Sequence, residues 1–394
     1  MVRTASQHGA VAVACAAALA ACAPRMSPLP SQGGPAWLEV TSAHFTLWTD
    51  AGPRRGEALI HALELRRQIV ARAMSHVEAE QRTFVIALHD QWETDAYLRD
   101  RISGMALFGN PSAVPAVVIS ADRHSDYMVG HVLTNVISRG IVKRQPVWLT
   151  EGIATYFEMA DLTADAETVK VGLPRAGLQR VLARKRTLGV RELMACDYER
   201  PCLDDRLYAT AWALFSYLVN EKFDQLTAYM AALDHLAPDE AWAEAFGALS
   251  VDDLDTALER WLVNGEVRVP RIAVPQATFP TVTRALTDAD VLAARGMLEL
   301  SVKRNGMAAR STSDAALAAD RTNVLARMVQ LALRTTPTPE DARATAAAHP
   351  DDWRAWLLVA LAAGRGPERR AAHARLCQLA PDRVYLCPPR TAGR

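Results

Sequence analysis

Between Met128 and Glu158 the chain reads MVGHVLTNVISRGIVKRQPVWLTEGIATYFE. Here residue types and spacing come nearest to a reactive set. Two side chains could ligate a metal or move a proton, the imidazole of His131 and the carboxylate of Glu151. Val129, Val132, Leu133, Val136 and Ile137 repeat as the stripe of a buried helix, which Ser125 can cap. His131 and Asn135, four residues apart, then share one helical face. Two imidazoles at that spacing hold zinc, and a glutamate between them takes the proton of a zinc-bound water. This helix offers one imidazole, with Val132 beside it and Asn135 one turn on. No other H-x-x-x-H pair occurs, and neither G-x-S-x-G nor a glycine-rich phosphate loop is present. The plainer roles are a hydrogen-bonded structural histidine at His131 and a capping or arginine-paired carboxylate at Glu151. Arg139, Lys143 and Arg144 read most simply as a solvated basic turn.

The run Trp148-Leu149-Thr150-Glu151-Gly152-Ile153-Ala154-Thr155-Tyr156-Phe157 resembles the element W-x-x-E-G-x-A-x-[YF] of gluzincin metallopeptidases. With the strands upstream and the Tyr-x-x-Ala-Trp helix at 208–212, residues 37–265 resemble the peptidase-MA-like domains of bacterial lipoproteins. The resemblance implies a zincin-like fold in which His131 is the first zinc ligand and Glu151 the third. It also implies a general base at position 132 and a second histidine at 135, where this chain has Val132 and Asn135. A catalytic zinc needs three protein ligands and one open position. Two remain, and a missing general base by itself forfeits about 10²–10⁴-fold in rate. Tyr208 falls where family members place a transition-state phenol, although a core tyrosine fits the same position. The expectation is a non-catalytic domain without a cofactor. The alternative is an atypical zinc-dependent metallopeptidase using His131 and Glu151.

These side chains need elements to hold them. Residues 37–50 alternate as a strand and lead into a helix over about 56–74. FVIALHD, 84–90, and AVVIS, 116–120, read as buried strands with a short helix between them. Val117–Ser120 is the expected edge strand, open to an extended peptide by strand addition. Helices follow at 208–220, 240–249 and 251–265, the last capped by Ser250 and stopped by Gly265. Residues 267–280 hold three prolines and mark a boundary. Beyond it, 281–394 contains 26 alanines, 16 arginines and one lysine. It reads as helices at 287–303, 312–319, 322–334, 339–348, 351–363 and 367–380. Turn signals there recur after 30 and then 31 residues, which resembles a degenerate tetratricopeptide repeat of period about 34. The expected class is thus an α+β zincin-like domain over 37–270, a small mixed sheet followed by helices, with an all-α helical-repeat domain over 281–390.

The N-terminus reads as an address. Arg3, an apolar stretch from Gly9 to Leu19 and small residues after it form a signal peptide over 1–21. Leu19-Ala20-Ala21-Cys22 resembles a bacterial lipobox, which implies cleavage before Cys22 and lipidation of its thiol. Pro24, Pro28, Pro30, Gly33, Gly34 and Pro35 suggest a flexible tether over 22–36. Ala23 after the cysteine, by the same resemblance, favours the outer membrane of a Gram-negative bacterium. Export leads to an oxidising compartment, where the close pairs Cys196/Cys202 and Cys377/Cys387 are expected as disulfides; neither has zinc-ligand spacing.

Composition narrows the partners. With 44 basic and 44 acidic residues the formal charge is zero, so nothing drives nucleic-acid binding. Half the residues are apolar, which rules out a disordered chain. The expected function is that of a membrane-anchored binding or scaffolding lipoprotein of the cell envelope. Protein or peptide partners would be taken by the cleft and the helical repeats.

Overall fold

Strands whose residues all point into cores on both faces read as unbroken apolar runs. Thr83–Leu88 (β3) and Ala116–Ser120 (β5) are buried at every position for that reason. The computed structural model describes residues 26–74, 82–98, 102–107, 109–123, 127–160, 168–198, 204–247, 249–265, 267–273, 278–380 and 387. The signal segment, Cys22, Ser125 and Cys202 lie outside the described residues, and with Cys202 lies the expected Cys196–Cys202 bridge.

The expected first strand is a hairpin, Leu38–Thr41 (β1) and Phe45–Thr49 (β2), turned at Ser42. Helix Pro53–Ala73 (α1) carries the chain to β3, which pairs in parallel with β2 and β5. Helix Gln91–Tyr97 (α2), capped by Asp90, and the short strand Gly104–Ala106 (β4) precede β5. A last strand, Val282–Ala285 (β8), pairs with β1, and the sheet order is β4-β5-β3-β2-β1-β8. The mixed sheet followed by helices is thus present. Its edges are β4 and β8, which corrects the expectation that Val117–Ser120 is an edge: β5 lies between β3 and β4. The sequence hides β4 because three residues cannot show a period.

One face of the sheet offers Val40, Phe45, Leu47, Val85, Val117 and Ile119 to α1 and to helices Tyr127–Ile141 (α3) and Val147–Phe157 (α4). Strand Thr168–Lys170 (β6) and helices Ala176–Ala183 (α5), Val190–Met194 (α6), Asp205–Glu221 (α7), Phe223–Ala232 (α8), Pro238–Phe246 (α9) and Val251–Asn264 (α10) complete that side. Part of the proline-rich stretch, Arg271–Ala273 (β7), pairs with β6.

The other face of the sheet offers Trp48, Phe84, Ile86, Leu88 and Val118 to α2 and to helices Asp288–Ser301 (α11), Gly306–Ala319 (α12) and Val324–Ala332 (α13). Helices Pro339–Ala348 (α14), Trp353–Ala362 (α15) and Pro367–Leu379 (α16) continue the array as hairpins, and Cys377 is bonded to Cys387. Helix α12 begins at Gly306, six residues before its expected start, because Asn305 accepts a hydrogen bond from the Ala308 N–H and caps it. The composition shift at 281 coincides with no break in packing, since Val291, Met297 and Leu298 share a core with the sheet.

The expected tether also differs. Residues 26–36 are docked: Met26 and Leu29 pack on the second core, Pro30–Gln32 forms a 3₁₀ turn, and the Ser27 carbonyl accepts from Arg295 at 2.7 Å. Prolines and glycines suggested freedom, but the partner that removes it stands 268 residues away in α11.

Candidate functional site

Helices α3 and α4 cross with their polar residues facing each other. In α3 the stripe of Val129, Leu133, Val136 and Ile137 goes to the core, which turns His131 towards α4. Glu151 lies one turn into α4, whose Gly152 permits close approach to α7. A Cβ there would stand 2.9 Å from the Ala211 carbonyl oxygen and 3.0 Å from Phe215 Cβ. Trp148 of the same motif is a core residue, stacked on Tyr229 with ring centroids 5.8 Å apart and set edge-on to Trp242.

The imidazole of His131 is held from both sides. Its Nε2 lies 2.9 Å from Glu151 Oε2 and its Nδ1 lies 2.9 Å from Glu158 Oε2. All three residues are buried. Two carboxylates can both be satisfied only if both ring nitrogens carry protons. Burial opposes the charged ring, but the hydrogen bonds from Glu151 and Glu158 and their charges outweigh it, so the His131 pKa rises to about 9. The ring is therefore an imidazolium at neutral pH.

Around this pair lies a shell of donors. Tyr198 donates its hydroxyl proton to Glu151 Oε1 at 3.0 Å and accepts from Arg139 at 2.9 Å. Burial and the Glu151 charge push the Tyr198 phenol up to about 12. Tyr208, in the first turn of α7, sets its ring edge-on to His131 at 5.7 Å, and burial raises its pKa. Glu158 is the residue that ends α4, a position where the helix dipole disfavours a carboxylate. Cations offset this: His131 on one oxygen, and Arg175 Nε 3.3 Å from the other. That second contact is within ion-pair distance yet outside hydrogen-bond geometry, so Glu158 Oε1 and Arg175 Nε have no hydrogen-bond partner.

The two departures from the gluzincin pattern have structural counterparts. Val132 packs towards the sheet edge, where a Cβ on Gly104 of β4 would meet its Cγ2 at 3.1 Å. Asn135 is buried, and its Oδ1 has no hydrogen-bond partner. Glu151 and Glu158 flank the ring on opposite nitrogens rather than converge on one point. Among the described residues no group of three His, Cys, Asp or Glu side chains is arranged to hold a metal.

Of the residues singled out in the sequence, His131, Glu151 and Tyr208 come together, and Val132 and Asn135 lie on the same helix as His131. Cys377 and Cys387 form a bridge remote in sequence from this site. Sequence reasoning missed Glu158, Tyr198 and Arg175, and it took Arg139 for part of a solvated turn. Glu158 had a signal, since it follows Glu151 by two helical turns on one face. Tyr198 and Arg175 come from loops with no local pattern.

The family described as Protein of unknown function (DUF1570) matches residues 129–239, which include His131, Glu151, Glu158 and Tyr208. A search among curated proteins finds no match to this chain.

Proposed function

We propose that this chain is a lipid-anchored protein of the cell envelope in which a gluzincin-like helix pair has lost peptidase chemistry and the folded body works by binding. The observation that carries the reading is the clamp on His131, with Glu151 on Nε2 and Glu158 on Nδ1. Both ring nitrogens are thereby engaged by carboxylates. Val132 cannot act as a base, and Asn135 is a weaker zinc donor than imidazole. Binding surfaces remain. Strand β4, beside α3, has a strand partner on one side only and can take an extended peptide by strand addition. The hairpins α11–α16 supply a second surface for a protein partner. Anchoring follows from the lipobox-like Leu19-Ala20-Ala21-Cys22, and an outer-membrane address from Ala23. Among the described residues no helix is long and apolar enough to cross a membrane.

One observation favours the second reading, an atypical zinc peptidase using His131 and Glu151. A carboxylate on Nδ1, as Glu158 is here, is how metal-bound histidines are oriented.

Metal analysis of protein purified without a histidine tag separates the two. The native chain is expected to carry far less than one zinc and to leave peptides intact. Val132→Glu with Asn135→His rebuilds three convergent ligands and is expected to gain about one zinc per chain. Stoichiometric zinc and peptidase activity in the native protein, both lost in Glu151→Ala, would establish the second reading. A folded double variant that gains no zinc would remove the gluzincin-like assignment.

A further inference from the structure

The three C-terminal hairpins have two unlike ends. One end faces a cavity of about 940 Å³ between the helices and the open part of the sheet, lined by Asp290, Asn323, Asp352 and Trp353 with Trp48 and Phe84 opposite. The first turns of α11, α13 and α15 therefore lie at this end; α11 opens with Asp288 and Asp290, α15 is capped by Asp352 and α13 by the neutral Asn323. The turns that close the hairpins, after Ser301, Ala332 and Ala362, lie at the other end. Each exposes one arginine, Arg304, Arg334 and Arg365, and none of the three takes part in an ion pair among the described residues. Beside Arg304 stands Met307, 86% exposed, in the first turn of α12.

The N-terminal segment points to what this end meets. Ser27 is bonded to Arg295 and Ser31 to Asp288, so residues 27–31 run antiparallel to α11. The chain thus enters the body from the side of the C-terminal end of α11, where Lys303 and Arg304 lie. Four Cα steps separate Cys22 from Met26, a reach of at most ~14 Å. From Arg295 to Ser301 the helix rises ~9 Å. A lipid on Cys22 can therefore lie level with the hairpin turns.

We infer that the turn end of the hairpins, with Arg304, Arg334, Arg365 and Met307, is the face that rests on the bilayer, and that its occupant is a lipid surface bearing anionic headgroups. This rests on the anchoring reading above. Unpaired cations one per turn match such headgroups, and an exposed methionine among them can enter the interface. The cavity at the opposite end is then held away from the membrane and open to soluble partners.

Hydrogen–deuterium exchange of the full, lipidated protein tests this, compared between detergent and vesicles of phosphatidylethanolamine with phosphatidylglycerol. Amides in 302–309, 333–338 and 363–368 are expected to slow several-fold on the vesicles, while those lining the cavity keep their rates. The triple variant R304E, R334E, R365E should lose that slowing while still floating with the vesicles through Cys22. Unchanged exchange at all three turns in a protein that floats would overturn the inference. Slowing that persists in the triple variant would overturn the role of the arginines. A Cys22 without lipid by intact mass, in protein that stays in solution, would overturn the anchoring reading itself.

Discussion

Two buried ion clusters lie on opposite faces of the sheet, and they differ in what their cation can do. On one face His131 is clamped between Glu151 and Glu158; on the other, Arg295 is bonded to Glu93 and to the Ser27 carbonyl. The Arg295 cluster joins three separate stretches of chain: the N-terminal segment, α2 and α11. It is a device of folding. The His131 cluster is centred on the two adjacent helices of one motif, α3 and α4, and reaches Arg175 and Tyr198 in the loops beyond them. Its cation titrates, and two half-exposed or half-buried phenols stand at its mouth. Burial of charge alone therefore does not mark a site. A titratable cation, tyrosines around it and the unsatisfied Oδ1 of Asn135 set this cluster apart as the candidate site.

The largest expected effect separates the clusters by removing a cation. Arg295→Met leaves Glu93 buried and uncompensated, and should cost about 3–5 kcal/mol in urea unfolding. A loss below ~1 kcal/mol would mean that Glu93 takes up a proton in the native protein instead, a route its raised pKa makes shorter.

The second sharpens the contrast through pH. Because the folded pKa of His131 lies above its ordinary value, the native state holds a proton that the unfolded chain releases. The stabilisation is complete below pH 6.5 and is lost as pH rises through about 9. A rise from 6.5 to about 9 corresponds to roughly 3 kcal/mol. Urea midpoints between pH 6 and 10 should fall accordingly, and the fall should vanish in His131→Gln. The same fall surviving in His131→Gln would erase the distinction drawn here.

The smallest effect concerns the tyrosines. Tyr198→Phe removes the proton given to Glu151 and should cost about 1 kcal/mol. Tyr97→Phe removes a longer bond to Glu299, at 3.3 Å, and should cost less. A larger loss at Tyr97 would place the more demanding network on the folding side.

How much of this was legible beforehand depended on range. Helices with caps and periodic stripes could be read directly: Ser250 caps α10 through the Asp253 N–H, and α14 runs over 339–348 as expected. His131 and Glu151 could be paired because each sits in a patterned helix. Beyond neighbouring elements the pattern gave out. Strand β8 reads as Val-Thr-Arg-Ala, exposed at every position, and only β1, far earlier in the chain, makes it a strand. The hairpin β1–β2 looked like one strand because Ser42, Ala43 and His44 carry no strong turn signal; its corner is fixed by Glu64 of α1, which accepts from the Ser42 hydroxyl and the His44 N–H. Arg295 reads as one arginine among many until Glu93 and Ser27 are brought to it.

The pairing of β1 with β8 and the docking of residues 26–36 on α11 also set an order of assembly. Ser31 waits for Asp288, 257 residues on, and Leu38–Thr41 stays an open edge until Val282–Ala285 arrives. Closing so long a loop carries an entropic cost that local helices do not bear, and contacts of such separation form late. A chain made or threaded from its N-terminus therefore completes its sheet only after nearly three quarters of it has emerged. A truncation before residue 282 would leave an unpaired strand edge and a bare apolar sheet face, the state from which aggregation starts.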